Sequence, residues 1–250
     1  MLLHPPGTPR NALTMRLARY VDLTGHERDA LAALIESERR LSAGQLLQEQ
    51  GGPVDGLFVV QQGWLHSSKR LTTGGRQILR FHYSGDLIGT SSIAWSVAAA
   101  SLTAVSDCIV ATVPKANLGR LFAAHPRLGA LLYAVACAEK VAMADRLTTI
   151  GRMNALQRLT ILLLDVLARL RVTAGGVVDT IELPLTQTDL GDALGLTKVH
   201  VNRTFRALEA KSMIRRDGRR VTILDEAGMT AATGFVDRYR EVATEWLPNP

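Results

Sequence analysis

Apolar and polar residues alternate differently in successive stretches of the chain. Apolar residues at helical spacing predict a helix from about Gly25 to Glu38. Between Leu41 and Val113, short alternating or β-branched runs are separated by turns with glycines such as Gly51-Gly52 and Gly74-Gly75. Short strands at this spacing are typical of an antiparallel roll of about eight strands. We therefore predict an α+β protein whose N-terminal part is an antiparallel β-roll, similar to a jelly roll.

A long helix is predicted to begin at Pro126, because proline is tolerated at the first helical position. Up to Gly151 the sequence has no further proline and one internal glycine, Gly129. Apolar residues recur on this helix in steps of three and four, and they form an apolar seam of Leu128, Leu131, Val135, Ala138 and Ala142. Such a seam favours pairing of two helices, so we expect a homodimer through these five residues. The alternative is that the helix packs on the roll.

A second apolar helix is predicted from Ala155 to Val172, ending before Gly175-Gly176. Beyond it, Thr186 and Asp189 have the spacing of a capping box, which marks the start of a helix. Gly195 ends that helix, and Thr197 can cap the next one.

The helix from Lys198 to about Ala210 has two different faces. Val201, Phe205 and Leu208 are predicted to point inward, and the other face is polar and basic. Two short helices joined by a glycine-containing turn are typical of a helix-turn-helix, whose second helix enters the major groove of DNA. Asp217-Gly218 between two alternating runs predicts a hairpin after it. The whole unit is predicted to be a winged helix-turn-helix.

Charge supports this interpretation. The chain carries a formal net charge of +6, and the segment from Leu196 to Arg220 alone has eight basic and two acidic residues. The rest of the chain is therefore close to neutral. Basic residues concentrated in one segment indicate a surface that meets a polyanion, so double-stranded DNA is the expected partner.

Composition narrows the class of protein. With 47% hydrophobic and 21% charged residues, the 250-residue chain is neither fibrous nor disordered. Its longest apolar stretch, Ala130 to Ala138, is much shorter than the roughly 20 residues of a membrane span. The N-terminus has no secretory pattern, and two cysteines are too few for a disulfide framework. We expect a cytoplasmic protein without a membrane partner.

The sequence from about residue 22 to 226 resembles the Crp/Fnr family of bacterial transcription regulators. The resemblance rests on the glycine pattern from Gly44 to Gly63, on Gly85-Asp86-Leu87-Ile88-Gly89, on Asn154 to Leu159, and on Leu185 to Leu208. It implies a β-roll sensor domain (22–125), a dimerisation helix (126–151) and a winged helix-turn-helix (152–226). Residues 1–21 mix proline, glycine and arginine and are predicted to form an N-terminal arm. Residues 227–250 would form a C-terminal helical extension. It also implies palindromic DNA and RNA polymerase as partners.

The resemblance assigns DNA contacts to particular residues. Base reading falls on Lys198, Val199 and Arg203. Supporting phosphate contacts fall on Thr186, Gln187, Thr197, His200 and Arg206. The outer face of the helix adds Asn202, and the predicted wing adds Arg215 and Arg219 as residues able to reach DNA. Val199 departs from the glutamate that many members carry, and valine can contact only a thymine methyl group. We therefore expect a target sequence different from the familiar half-sites.

The sensor domain is expected to bind no cyclic nucleotide and no cofactor. Members that bind cyclic nucleotides hold the ribose with a glutamate and the phosphate with an Arg-Ser pair. Here those segments read Thr90-Ser91-Ser92 and Val97 to Leu102. The iron-sulfur branch needs several cysteines near the N-terminus, and none precedes Cys108.

Two alternatives remain open at the level of the sequence. His66 and His82, or Cys108 and Cys137, would serve a haem- or redox-responsive regulator of the same fold. A metal-dependent β-roll enzyme with an accessory DNA-binding domain would need a histidine-rich cluster. Because that cluster is missing from the sequence, we predict that the protein is not an enzyme.

Overall fold

Two four-stranded antiparallel sheets form the N-terminal half of the protein, in a computed structural model that describes residues 11–54, 56–174 and 178–249. Their strands are β1 (Ser37–Leu41), β2 (Leu46–Gln48), β3 (Gly56–Gln62), β4 (Leu65–Arg70), β5 (Arg76–His82), β6 (Leu87–Ile88), β7 (Ser101–Ala104) and β8 (Cys108–Pro114). One sheet has the order β1-β8-β3-β6 and the other β2-β7-β4-β5. The predicted eight-stranded roll is confirmed.

The space between the two sheets is filled by side chains. Val60, Leu65, Ile88 and Val110 are almost fully buried and belong to one apolar cluster with Cys108. This cluster follows from the sequence pattern, because every second residue of a strand points to the same face of its sheet.

The helices of this half are α1 (Ala12–Leu17), α2 (Gly25–Ala32), α3 (Lys115–Ala124) and α4 (Pro126–Arg152). The helix predicted up to Glu38 ends at Ala32, because residues from Ser37 onward pair with β8 as strand β1. Asn11 caps α1 by accepting hydrogen bonds from the backbone N–H groups of Leu13 and Thr14. Residues 1–10 of the predicted arm lie outside the described residues.

Three residues of the apolar seam on α4 pack inside the chain, which corrects their assignment to a dimer interface. Leu128, Leu131 and Val135 are buried in a cluster with α1, α2 and the roll. Ala142 lines a cavity between α4 and α5, and Ala138 is half-buried. Steps of three and four show that one face of a helix is covered, and here the roll covers it.

A different face of α4 is exposed. Tyr133, Val141 and Leu147 are exposed apolar side chains on it, with exposed fractions of 68%, 44% and 74%. Cys137 is exposed on the same helix. No described helix is both long and apolar enough to cross a membrane by itself, and α3 and α4, which reach that limit only together, are bent by 120°.

The C-terminal half consists of α5 (Ala155–Ala174), β9 (Thr180–Glu182), α6 (Gln187–Leu194), α7 (Lys198–Ala210), β10 (Ile214–Asp217), β11 (Arg220–Ile223) and α8 (Glu226–Thr233). The three strands form a small sheet in the order β10-β11-β9. Buried leucines of α5, such as Leu159, Leu163 and Leu167, form the core with α6, α7 and the sheet. The predicted stop at Gly175-Gly176 lies outside the described residues.

The predicted C-terminal helical extension, 227–250, is wrong beyond α8. Gly234 ends α8 in the left-handed conformation (φ 66°), which favours glycine. The following residues 235–249, here called the C-terminal strap, contain no helix. The strap contacts α4 through an ion pair between Arg238 and Asp145 (2.8 Å), and Leu247 packs against the cluster of α1, α2 and the roll.

Candidate DNA interface

Local chemistry fixes both the start of α6 and the turn between α6 and α7. The Thr186 hydroxyl oxygen accepts a hydrogen bond from the backbone N–H of Asp189 (3.1 Å), and the Asp189 carboxylate accepts one from the backbone N–H of Thr186 (2.9 Å). Gly195 ends α6 with φ 66°. A Cβ on Gly191 would lie 2.6 Å from the carbonyl oxygen of Leu196, so the close approach of the turn to α6 requires glycine there.

Helix α7 is amphipathic in the way that the sequence predicts. Thr197 caps it, with its hydroxyl oxygen accepting from the backbone N–H of His200 (3.3 Å). Val201, Phe205 and Leu208 are buried in the core of the C-terminal half. The opposite face, here called the recognition face, is exposed and consists of Lys198, Val199, His200, Asn202, Arg203 and Arg206.

The predicted hairpin is present, and the two of its arginines that are expected to contact phosphates face solvent. Asp217 pairs with Arg220 across β10 and β11, and Gly218 between them has φ 58°. Arg215 and Arg219 are exposed. The two wing arginines therefore lie in the same C-terminal unit as the recognition face, with neither covered by the protein.

One arginine of the basic segment has a structural role. The guanidinium of Arg216 lies 4.5 Å from the ring centre of Phe205 and forms an ion pair with Glu209 (2.9 Å). The hydrogen bond from Arg216 lowers the pKa of Glu209 below its ordinary value. Arg216 thus holds the wing against α7.

The start of α6 contacts the roll. Arg76 of β5 forms ion pairs with Asp189 and Asp192 of α6, both at 2.7 Å. Gln77 donates to the backbone carbonyl of Asp192 (2.7 Å). Burial raises the pKa of Asp189, but its hydrogen bonds from Thr186 and Arg76 outweigh this and leave it lowered.

Thr186 and Gln187, two expected phosphate contacts, lie at this junction. Thr186 is exposed, and its hydroxyl donates to the Asp189 carboxylate (2.6 Å). Gln187 is half-buried, and its side-chain oxygen has no hydrogen-bond partner among the described residues. Gln187 is therefore less accessible than the recognition face, whereas Thr186 is exposed as that face is.

Two parts of the chain match models of known families. Residues 38–125 match the cyclic nucleotide-binding domain, and residues 157–232 match the Crp-like helix-turn-helix domain. The transcriptional activator FnrA of Stutzerimonas stutzeri is 25% identical over 214 residues, which cover 86% of this chain and 87% of FnrA. The chain belongs to the Crp/Fnr family.

Further relatives and solved structures agree with this membership. The transcriptional activator Anr of Pseudomonas aeruginosa is 26% identical, with 86% of this chain and 87% of Anr covered. The structure of FixK2 from Bradyrhizobium japonicum superposes with a TM-score of 0.71 at 25% identity, over 79% of this chain and 97% of FixK2. This Crp/Fnr protein is a transcription regulator with a DNA-binding helix-turn-helix.

The two segments that correspond to the family's nucleotide contacts form hydrogen bonds within the roll of this Crp/Fnr protein. Thr90–Ser92 form a short 3₁₀ helix, in which the Ser92 hydroxyl accepts from the backbone N–H of Ala99 (3.3 Å). The backbone N–H of Ala98 donates to the carbonyl of Gly52 (2.8 Å). Both segments therefore bond to the roll itself, and neither contains a glutamate or an arginine.

The residues considered for metal or redox chemistry are mostly buried. Burial lowers the pKa of His66 to about 4 and that of His82 to about 3, and neighbouring arginines contribute to both shifts. Burial also raises the pKa of the Cys108 thiol to about 11. Within the described ranges, no group of three or more histidine, cysteine or acidic residues is arranged to hold a metal ion.

A buried ionic cluster, which could not be predicted from the sequence, joins several elements. Asp86 accepts hydrogen bonds from Arg16 of α1 (2.6 Å) and from Arg169 of α5, and Glu139 of α4 pairs with Arg16 (3.2 Å) and Arg80 (3.1 Å). Burial opposes the charge on Asp86, yet Arg169 and Arg16 lower its pKa below the ordinary range. These residues are far apart in the chain, and the one local signal was the Gly85-Asp86 turn.

Proposed function

We propose that the protein is a sequence-specific transcription regulator that binds palindromic DNA as a homodimer. The observation that carries this proposal is the recognition face of α7, which is polar, basic and exposed. A buried apolar face opposite to it fixes the helix on the domain core. A helix held in this way can enter the major groove with its outer side chains toward the base edges.

Each side chain of the recognition face has a defined role in the proposal. Arg203 suits a bidentate contact with guanine, and Val199, which is 74% exposed, suits a contact with a thymine methyl group. These two residues are one turn apart and share a side of the helix. Lys198 reads a neighbouring base.

The remaining residues bind the sugar-phosphate backbone, which supplies affinity without sequence preference. His200, Asn202 and Arg206 do so from α7, Thr197 from its N-terminus, and Thr186 and Gln187 from α6. Arg215 and Arg219 reach phosphates from the wing.

The exposed face of α4 is the surface that we assign to the dimer. Tyr133, Val141 and Leu147 lie on it at intervals that keep them on one side of the helix, and all three are large apolar side chains in contact with solvent. A two-fold axis along this face makes the same residues meet their own copies. This face replaces the buried residues of the apolar seam, Leu128, Leu131 and Val135, which the roll covers.

The sensor domain acts without a cyclic nucleotide, and the protein has no catalytic role. The curated relatives are regulators of transcription, which supports the second point. Its place of action is the cytoplasm, where bacterial DNA lies, and RNA polymerase is the further partner that the family suggests. The haem, redox and enzyme alternatives gain no support from the buried histidines and Cys108.

The proposal is tested by comparing three arginine variants on selected and random duplexes. Arg203→Ala should cost about 1–3 kcal/mol on the selected site and remove the preference at one base pair. Arg219→Ala should weaken binding to all duplexes about equally. Arg39→Ala, at an exposed position on β1 of the roll, is the control. It should change neither the affinity for DNA nor the base preference. Fluorescence anisotropy at fixed salt measures all three.

Equal losses on selected and random duplexes for Arg203→Ala would contradict the assignment of base reading to the recognition face. Loss of binding in the Arg39→Ala control would show that the measured effect does not depend on α7.

A further inference from the structure

A cavity of about 180 Å³ lies between the two halves of the protein. The second half of α4, the first half of α5, strand β5 and the end of α6 surround it, and the C-terminal strap covers it with Phe235 and Tyr239. Ligand pockets for drug-sized molecules measure roughly 300–1,000 Å³, so this cavity suits a smaller molecule. It lies outside the space between the sheets of the roll.

The cavity wall contains two arginines whose hydrogen bonds within the described part of the chain go only to backbone carbonyl groups. Arg146 donates to the carbonyls of Ile78 (3.2 Å) and Ala193 (2.8 Å). Arg158 donates to the carbonyls of Met153 (2.8 Å) and Leu194 (3.1 Å). Burying a guanidinium without an opposite charge is costly, and it favours the binding of an anion nearby.

Two of the arginine atoms at the cavity are still without a hydrogen-bond partner. The Nε atom of Arg146 and one terminal nitrogen of Arg80 are both buried and unpartnered among the described residues. The other terminal nitrogen of Arg80 pairs with Glu139 (3.1 Å). Buried donors of this kind are rare in folded proteins and mark positions where a ligand atom or an ordered water accepts.

The balance of charge around the cavity is positive. Arg80 and Arg238 are paired with Glu139 and Asp145. The remaining carboxyl group is that of Asp165, and burial raises its pKa although Arg169, Arg80 and Arg146 act in the opposite direction. A carboxyl group whose ionisation is disfavoured compensates Arg146 and Arg158 only in part.

The rest of the wall is apolar. Met143 and Ile150 of α4, Ile161 and Leu162 of α5, and Phe235 of the strap line it. A ligand that satisfies both parts of the wall needs an anionic head group and an apolar body.

We infer that this cavity is a binding site for a small amphipathic anion, with a carboxylate or phosphate head at Arg146 and Arg80 and an apolar body against Met143 and Ile161. The binding itself does not depend on what the protein regulates. Its consequence rests on the proposed function: an occupant would contact β5, α4, α5, α6 and the strap at once. It would therefore bias how the helix-turn-helix is held against the roll.

Methionine methyl groups give a direct test in the intact protein. Of the six methionines, Met143 and Met153 line the cavity, whereas Met15, Met213 and Met229 do not. The protein labelled at the methionine methyl carbons is titrated with hexanoate and, separately, with hexyl phosphate, and NMR shifts are followed. Hexanol tests binding of the apolar body without the anionic head group, and inorganic phosphate tests binding of the head group without the apolar body.

We expect hexanoate, hexyl phosphate or both to shift the methyl signals of Met143 and Met153 in a saturable way. The methyl signals of Met213 and Met229 should change little. Which of the two binds identifies the head group. Hexanol and inorganic phosphate should bind at least about tenfold more weakly, because each lacks one of the two interactions.

Two variants test the location independently. Ala142→Leu fills the cavity without changing its charge, and Arg146→Gln removes the charge; each should weaken binding at least about tenfold. Arg171→Gln is the matched control, because Arg171 pairs with Glu226 outside the cavity, and it should bind as the wild type does. Thermal unfolding checks that each variant is folded.

The inference is overturned if neither anion shifts Met143 and Met153 at concentrations up to millimolar, or if folded Ala142→Leu binds as tightly as the wild type. DNA titrations of the same samples test the proposed function separately from anion binding in the cavity. Anion binding without any DNA binding would contradict the proposed function and leave this site standing.

Discussion

Replacing Asp86 by asparagine should destabilise the protein strongly, because it removes the central charge of the buried ionic cluster. The Asp86 side chain is 1% exposed and accepts from Arg16 (2.6 Å), from Arg169 and from the backbone N–H of Tyr83 (3.1 Å). Asparagine keeps the shape but loses the charge. Arg16 and Arg169 then remain buried with less negative charge to balance their positive charges.

The expected size follows from these contacts. Breaking a buried ion pair by removing one partner costs about 3–5 kcal/mol, since an uncompensated charge stays behind. Arg16 retains a second carboxylate, Glu139 at 3.2 Å, which places the expected loss near the lower end, about 3 kcal/mol. Arg169 has no such second pair among the described residues and stacks on Tyr239, with 4.3 Å between the guanidinium and the ring centre.

Urea denaturation at neutral pH measures the free energy of unfolding. Asp29→Asn on the exposed face of α2 is the matched control and should change it by less than about 0.5 kcal/mol. A double-mutant cycle with Arg169→Met should give a coupling energy of at least about 1 kcal/mol. A loss below about 1 kcal/mol for Asp86→Asn, with an unchanged denaturant slope, would refute the reasoning.

Three further predictions follow from the same structure. Leu147→Glu should weaken dimerisation in sedimentation experiments, whereas Val135→Glu should lower the unfolding temperature instead, because Val135 is buried under the roll; an unchanged dimer in Leu147→Glu would count against the exposed face of α4. The pKa values of His66 and His82, lowered to about 4 and 3, make both neutral when folded, so stability should be full above pH ~6.5 and decline as the pH falls toward ~4. A urea midpoint that does not change over this range would contradict it. Cyclic AMP and cyclic GMP should show no binding by calorimetry up to millimolar concentration, and a micromolar dissociation constant would contradict this.

The helix-turn-helix could be predicted from the sequence because its signals are local. The capping box of Thr186 and Asp189, the turn at Gly195 and the Asp217-Gly218 hairpin each need only a few neighbouring residues. The hydrogen bonds that define these turns lie within the same segment, so predicting them requires no knowledge of the distant chain.

The environment of α4 could not be predicted in the same way. Its apolar spacing indicates that one face is buried, but spacing carries no information about which surface covers that face. The roll covers Leu128, Leu131 and Val135. Tyr133 lies between Leu131 and Val135 in the sequence but is exposed, because it points to the other side of the helix. The strap and the cavity likewise depend on contacts between residues far apart, such as Arg238 with Asp145.

Sequence-specific, two-fold symmetric DNA binding is the central claim, and selection of binding sites from random duplexes tests it most directly. The wild-type protein should enrich an inverted repeat whose half-sites are about 10 base pairs apart, or a multiple of that distance, centre to centre. Half-sites of this symmetry require two copies of the recognition face related by a two-fold axis. Recovery of unenriched sequences, or of a single asymmetric site, would contradict the account.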